Sequence, residues 1–159
     1  MGAEPARESP RPSARRRIAV VDDNEILVRL WRRLLEKMDC EAFITSSPEA
    51  VMRHLQSNNV DILIADVVMP TMDGFDLVRQ VKEVMPDLRI ILTTGYPCDF
   101  TRIRLRLDAR DVHVLMKPYN NIQGLKNFLT RVLSNDQTLD TDEDSFRNPD
   151  DIRIHVWNL

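Results

Sequence analysis

The sequence predicts an α/β fold, a doubly wound five-stranded parallel sheet with helices on both faces. Three observations predict it. Between residues 17 and 134 the hydrophobic periodicity switches repeatedly between short strand-like runs and longer helix-like stretches. The strand-like runs are nearly continuous in apolar residues, as in strands buried on both faces. Proline, Ser-Pro and Asp-Gly steps punctuate the alternation, as expected where strands and helices follow one another around a parallel sheet.

Each element has its own signal. The first strand is RIAVVD, residues 17–22, and Leu27, Leu30, Trp31, Leu34, Leu35 and Met38 then recur on one helical face. AFIT, residues 42–45, is the second strand. It leads into Ser47-Pro48, a capping residue followed by proline at the first helical position, and a helix to about Gln56. The third strand, VDILIAD, covers residues 60–66 and ends on an acid. After an expected turn at Asp73-Gly74, the positions Phe75, Val78, Val81 and Met85 mark a helix that Pro86 stops. RIILTT, residues 89–94, is the fourth strand. Asp99 is expected to cap a further helix with Phe100, Ile103 and Leu107 on one face. VHVLM, residues 112–116, is the fifth strand, and Ile122, Leu125, Phe128, Leu129, Val132 and Leu133 form the stripe of the last helix.

Composition excludes several function classes. The chain has 159 residues, room for one hydrophobic core, and no apolar run long enough to span a bilayer, so no membrane insertion is expected. The N-terminal residues lack the apolar region of a secretory signal, and Cys40 and Cys98 fit no metal or redox spacing, which suits a reducing cytoplasm. Charge is uneven: residues 1–17 carry five Arg against two Glu, and residues 135–159 carry seven acids against two Arg. The body between them is close to neutral and offers no electrostatic footprint for nucleic acid.

The expected strand ends carry the chemistry. The first finishes on Asp22 and Asp23, the third on Asp66, the fourth on Thr93 and Thr94, and the fifth on Lys117-Pro118. In a doubly wound sheet the crevice lies at the carboxyl ends of the central strands, and neighbouring strands are about 4.8 Å apart. Three carboxylates meeting there repel unless a cation joins them, and a hard, oxygen-seeking ion such as Mg²⁺ fits that donor set. With Lys117 as a second positive charge and Thr94 as a hydroxyl donor, the constellation suits phosphoryl transfer to a carboxylate. Asp66, between the acids of strand one and the threonine of strand four, is the expected acceptor.

The pieces VVDDNE, ADVVMPTMDG, ILTTGY and LMKPY, in this order and spacing, closely resemble the receiver domain of two-component response regulators. The resemblance covers residues 17–134. It implies a flavodoxin-like fold with strand order 2-1-3-4-5, Asp66 as phosphoacceptor, Asp22 and Asp23 with the Val68 carbonyl as Mg²⁺ ligands, Thr94 as switch hydroxyl, Lys117 as phosphate-pairing lysine, and a cis Lys117–Pro118 bond. It also implies a sensor histidine kinase or phosphotransfer protein as donor, and a signalling phosphoacceptor that assists its own phosphorylation and dephosphorylation rather than an enzyme. One position departs from the family: the aromatic often found three residues before the lysine is Val114 here, with Tyr96 or Tyr119 as substitutes. Val68 and Tyr96 occupy the positions that govern access of hydrolytic water in the family, and predict a long-lived phosphoryl state.

The expected organisation is an N-terminal arm (1–16), a receiver (17–134) and an acidic C-terminal tail (135–159). The tail is read as disordered; the alternative, drawn from the alternation of Ile152, Ile154 and Val156, is a segment that adds a strand to a sheet edge or docks on a partner. With 25 residues after the last helix there is no room for an effector domain, so output is expected through a downstream partner of unknown identity. The competing reading within the family is a non-phosphorylated interaction module. Outside it, a dehalogenase-like phosphohydrolase would want an acid where Val68 stands, and a nucleotide-binding enzyme would want a glycine-rich loop that the four glycines do not form.

Overall fold

The computed structural model describes residues 15–96 and 112–134, together with the backbone of 154–158. The elements are β1 (Arg17–Val21), α1 (Glu25–Lys37), β2 (Glu41–Thr45), α2 (Pro48–Ser57), β3 (Ile62–Asp66), α3 (Gly74–Val84), β4 (Arg89–Thr94), β5 (Val112–Met116), α4 (Ile122–Ser134) and β6 (Ile154–Asn158). All pairings are parallel, in the order β2-β1-β3-β4-β5-β6. The five expected strands and their order are present. The helix expected after Asp99 lies outside the described residues.

A sixth strand extends the five expected ones. Residues 154–158, read from the sequence either as disordered or as a segment that adds to a sheet edge or docks on a partner, pair in parallel with β5. The physical reason is the edge itself: a terminal strand presents unpaired backbone donors and acceptors, and a short segment with alternating Ile154 and Val156 is able to satisfy them.

Because side chains alternate across a strand, each strand feeds both layers of the core. Ala19, Val21, Leu63, Ala65, Ile90, Leu92, Val112 and Val114 point one way and pack with Val51 and Leu55 of α2 and Phe75, Val78 and Val81 of α3. Ile18, Val20, Ile62, Ile64, Ile91 and Leu115 point the other way, against Trp31, Leu34 and Leu35 of α1 and Leu125, Phe128, Leu129 and Val132 of α4. The apolar runs RIAVV, ILIAD and RIILTT are therefore continuous because both of their faces are buried. No described helix is long and apolar enough to cross a membrane.

Helix starts follow local chemistry. Asn24 caps α1 by accepting from the Ile26 and Leu27 N–H groups, and Ser47 caps α2 by accepting from Ala50 N–H, with Pro48 at the first helical position. Asp73 caps α3 by accepting from Asp76 N–H, so the expected Asp-Gly turn is the cap and first residue of a helix. α3 ends at Val84, with Met85 as its C-cap just before Pro86. Ile122, placed on the buried stripe of the last helix from the sequence, is instead 45% exposed, because it opens the helix at the rim of the sheet.

Replacing Asn24 by Ala removes the acceptor for two N–H groups at the start of α1 and is expected to destabilise the fold by about 1 kcal/mol. Urea unfolding should show a lower midpoint with an unchanged slope; an unaltered midpoint would mean that α1 does not depend on this cap.

Candidate functional site

The chain runs from β1 outward to β2, then returns to the other side of β1 with β3, so the strand order reverses between β1 and β3. The Val21↔Ala65 register brings Asp22 and Asp66 level at the carboxyl ends of these two strands. Asp66 pairs with Thr93 on β4, and Thr94 with Met116 on β5, which delivers Lys117 one residue later. Short backbone bonds knit the ends together: Val67 N–H to the Thr93 carbonyl at 3.0 Å and Lys117 N–H to the Thr94 carbonyl at 2.7 Å. The Lys117–Pro118 bond is cis, as the resemblance implies.

The side chains converge. Lys117 Nζ lies 3.1 Å from Asp22 Oδ2 and 3.1 Å from Asp66 Oδ2, spanning the two buried carboxylates. Asp22 is 1% exposed and Asp66 6%, whereas Asp23 stands at the surface. One carboxylate oxygen from each of Asp22, Asp23 and Asp66 falls in a group whose members all lie within 4.8 Å of one another. Among the described residues, one ammonium thus stands with three acids, a local excess of negative charge made of hard oxygen donors. The donor set and its spacing fit a divalent, oxygen-seeking cation.

Backbone groups hold these acids in place. Asp22 Oδ1 accepts from Asn24 N–H at 2.9 Å, and Asp66 Oδ1 accepts from Val68 N–H at 3.3 Å. Burial pushes the Asp66 carboxyl above its ordinary value; Lys117 pulls it down in part, and the neighbouring Asp22 pushes it up again. Thr94 is fully buried, with its hydroxyl accepting from Tyr96 N–H at 3.0 Å. Val68 stands two residues past Asp66, the end of β3, and is exposed.

Other residues matter here for reasons the sequence motif did not express. A Cβ added at Gly74 would lie 2.3 Å from the Asp66 carbonyl oxygen and 2.9 Å from Val67 Cα. Glycine therefore serves close approach of α3 to the end of β3, a seat fastened by Gly74 N–H to the Val67 carbonyl at 2.8 Å. Of the two proposed aromatic substitutes, Tyr119 is buried and meets Trp31 edge-on at 5.4 Å, whereas Tyr96 is 60% exposed. Burial pushes the Tyr119 phenol well above its usual range, so it stays protonated. Val114 is fully buried in the layer facing α2 and α3. Cys40 is a half-buried free thiol whose pKa burial raises, consistent with a structural role; Cys98 lies outside the described residues.

Comparisons with known proteins bear on the family and the fold. The family model of the response regulator receiver domain matches residues 18–129. The chain is 31% identical over 121 residues to the response regulator receiver protein CpdR of Brucella abortus, a match covering 74% of this chain and 97% of that protein. It is 27% identical over 117 residues to the DNA-binding transcriptional regulator NtrC of Azospirillum brasilense, but spans only 24% of that longer protein. Among solved structures it is similar to the signal receiver domain of an HD domain-containing protein from Pseudomonas fluorescens, with a TM-score of 0.70, 25% identity, and coverage of 80% of this chain and 93% of that one. The response regulator protein TrrA of Thermotoga maritima, solved in complex with Mg²⁺-BeF, matches with a TM-score of 0.65 and 28% identity, covering 74% of this chain and 99% of that one.

Two outcomes test the geometry. Gly74→Ala pushes a methyl group into the backbone of residues 66 and 67 and is expected to cost about 1–3 kcal/mol, read by urea unfolding; a neutral result would show that the α3 start yields freely. The raised Asp66 pKa means that its contribution to stability is fully present below the ordinary carboxylate value and is lost as pH rises through the folded value. Asp66→Asn should therefore melt higher than the wild type at pH 7 in divalent-free buffer, with the gap closing as pH falls towards about 4. A lower melting temperature at pH 7 would contradict the sign of the shift.

Proposed function

This chain belongs to the response regulator receiver domain family, and from that membership we propose that it accepts a phosphoryl group on Asp66, with Mg²⁺, from a histidine kinase or phosphotransfer protein. The observation that carries the reading is the convergence of Asp22, Asp23 and Asp66 with Lys117 at the point where strand order reverses.

Each residue then has a role suited to its position. Asp66 is the nucleophile: one of its oxygens forms the bond to phosphorus while the donor's phosphorus–nitrogen bond breaks and the imidazole takes a proton. Asp22 and Asp23, with the Val68 carbonyl and Asp66 itself, would hold the Mg²⁺, which when bound neutralises charge on the transferring group. Lys117, already bridging Asp22 and Asp66, pairs with a phosphoryl oxygen once the acceptor is modified. Thr94, at the end of the neighbouring strand, supplies the switch hydroxyl to the same group. The protein is in this reading a signalling phosphoacceptor that assists gain and loss of its own phosphoryl group.

A protein donor fits the rim of the pocket. Ile26 in the first turn of α1, Val68 after β3, Tyr96 after β4 and Ile122 at the start of α4 are all exposed apolar residues at the same end of the sheet. They frame a charged pocket with surface that a partner helix is able to cover. Output through a downstream protein partner, without direct contact with DNA, and a cytoplasmic setting belong to the same proposal.

Incubation with acetyl phosphate is expected to add one phosphoryl group by intact mass, only with Mg²⁺ and not in Asp66→Asn. Absence of an adduct, where a control receiver is labelled, would favour an interaction module without phosphorylation. Val68→Asn and Tyr96→Ala should each shorten the lifetime of the adduct, since both remove apolar cover from the approach of water; unchanged decay would separate these residues from hydrolysis.

A further inference from the structure

The two edges of the sheet differ. β2 is edged by exposed Glu41 and Ala42, with Arg17 paired to Glu41 at the surface. β5 reads VHVLM, without a charged residue, and Val112, Val114 and Leu115 are fully buried. An uncovered β5 edge would display unpaired backbone groups along an uncharged strand. Residues 154–158 run along it in five register pairs, from Val112↔Ile154 to Met116↔Asn158.

This sixth strand is attached unlike β2, β3 and β4, each of which follows its helix within a few residues. Between Ser134, the end of α4, and Ile154 stand 19 residues, against about two to six in an ordinary helix-to-strand connection. All seven acids of the tail lie in that connection, whereas the strand IHVWN contains no acid, lysine or arginine. Sequence character therefore changes abruptly from charged tether to uncharged, β-prone peptide. That is the composition of a peptide bound by strand addition, in which main-chain pairing supplies the affinity and alternate side chains the selectivity. A tether of this length presents its peptide at an effective concentration on the order of 1 mM.

We propose that the β5 edge is a strand-docking site, occupied in cis by residues 154–158 and open by exchange to an extended segment of a partner protein. The segment it fits is uncharged, carries branched apolar residues at alternate positions, and adds parallel to β5. The reading is independent of phosphorylation at Asp66 and is testable without it.

The test uses the full-length chain and a full-length His155→Pro/Val156→Pro variant. Successive N–H groups of a strand point to opposite sides, so one of the two prolines removes a donor facing β5 whichever the phase. The probe is a fluorescently labelled peptide of residues 151–159. We expect the variant to bind it with a Kd of about 100 µM or tighter and the wild type to bind at least about ten-fold more weakly, because the tethered copy competes at millimolar effective concentration. Hydrogen exchange should show protection of residues 154–158 and 112–116 in the wild type, with both losing protection in the variant while β1 and β3 keep theirs. Equal affinity for the two proteins would overturn the proposal. So would absence of binding to a variant whose β3 remains protected, or exchange of residues 154–158 in the wild type at the rate of a free peptide. A concentration-dependent dimer of the wild type by sedimentation velocity, with residues 154–158 protected, would assign the strand to a second copy and overturn the cis arrangement.

Discussion

The contact on which the rest of the molecule depends is the bridge from Lys117 to Asp22 and Asp66. Two carboxylates buried side by side carry a desolvation cost that a low-dielectric interior magnifies. A single ammonium offsets part of it and leaves the pocket short of positive charge. The fold tolerates this shortage; it does not remove it, which is why Asp66 holds its proton more tightly than an ordinary aspartate. A site left under-neutralised in this way suits an oxygen-seeking cation.

Three separate segments of chain supply that bridge, so the sheet must set their relative positions. Parallel strands in the order 2-1-3-4-5 bring residue 22 level with residue 66, and the β3-β4-β5 register carries residue 117 to the same end. Local devices then hold each end. Asn24 takes the Asp22 carboxylate on its N–H while its own side chain starts α1, and Gly74 lets α3 begin against the backbone of residues 66 and 67. The acids are thus positioned by helix starts, and helix stability and site geometry are coupled through the same few residues.

Much of this was legible in the sequence because burial on both faces leaves a strong mark. Continuous runs such as RIAVV and ILIAD identify the central strands, and acids placed directly after them stand out against that background. The Ser47-Pro48 cap was visible for the same local reason. What escaped was tertiary. Asp73-Gly74 resembles a turn in sequence, but its glycine answers a steric demand from a strand end eight residues earlier. Exposure of Ile122 depends on where the helix starts relative to the sheet, which helical periodicity does not encode. The sixth strand was one of two readings of the tail, from its alternating apolar residues, but five residues paired on one side draw their order from a partner strand, and no local pattern reveals that the partner is β5.

β5 emerges as the strand where the two halves of the molecule's behaviour meet. Its carboxyl end delivers Lys117 to the acids, and its outer edge carries β6 up to Met116, the residue before that lysine. A strand paired on both sides has less freedom to shift along or twist than one paired on a single side. Occupancy of the edge and the charge state of the pocket therefore bear on the same short segment. A displacement of Lys117 that altered the fit of the edge strand would, by thermodynamic reciprocity, make the edge strand favour one pocket state over the other. Such a coupling requires no relay through the core, since the last paired position, Met116, directly precedes the lysine.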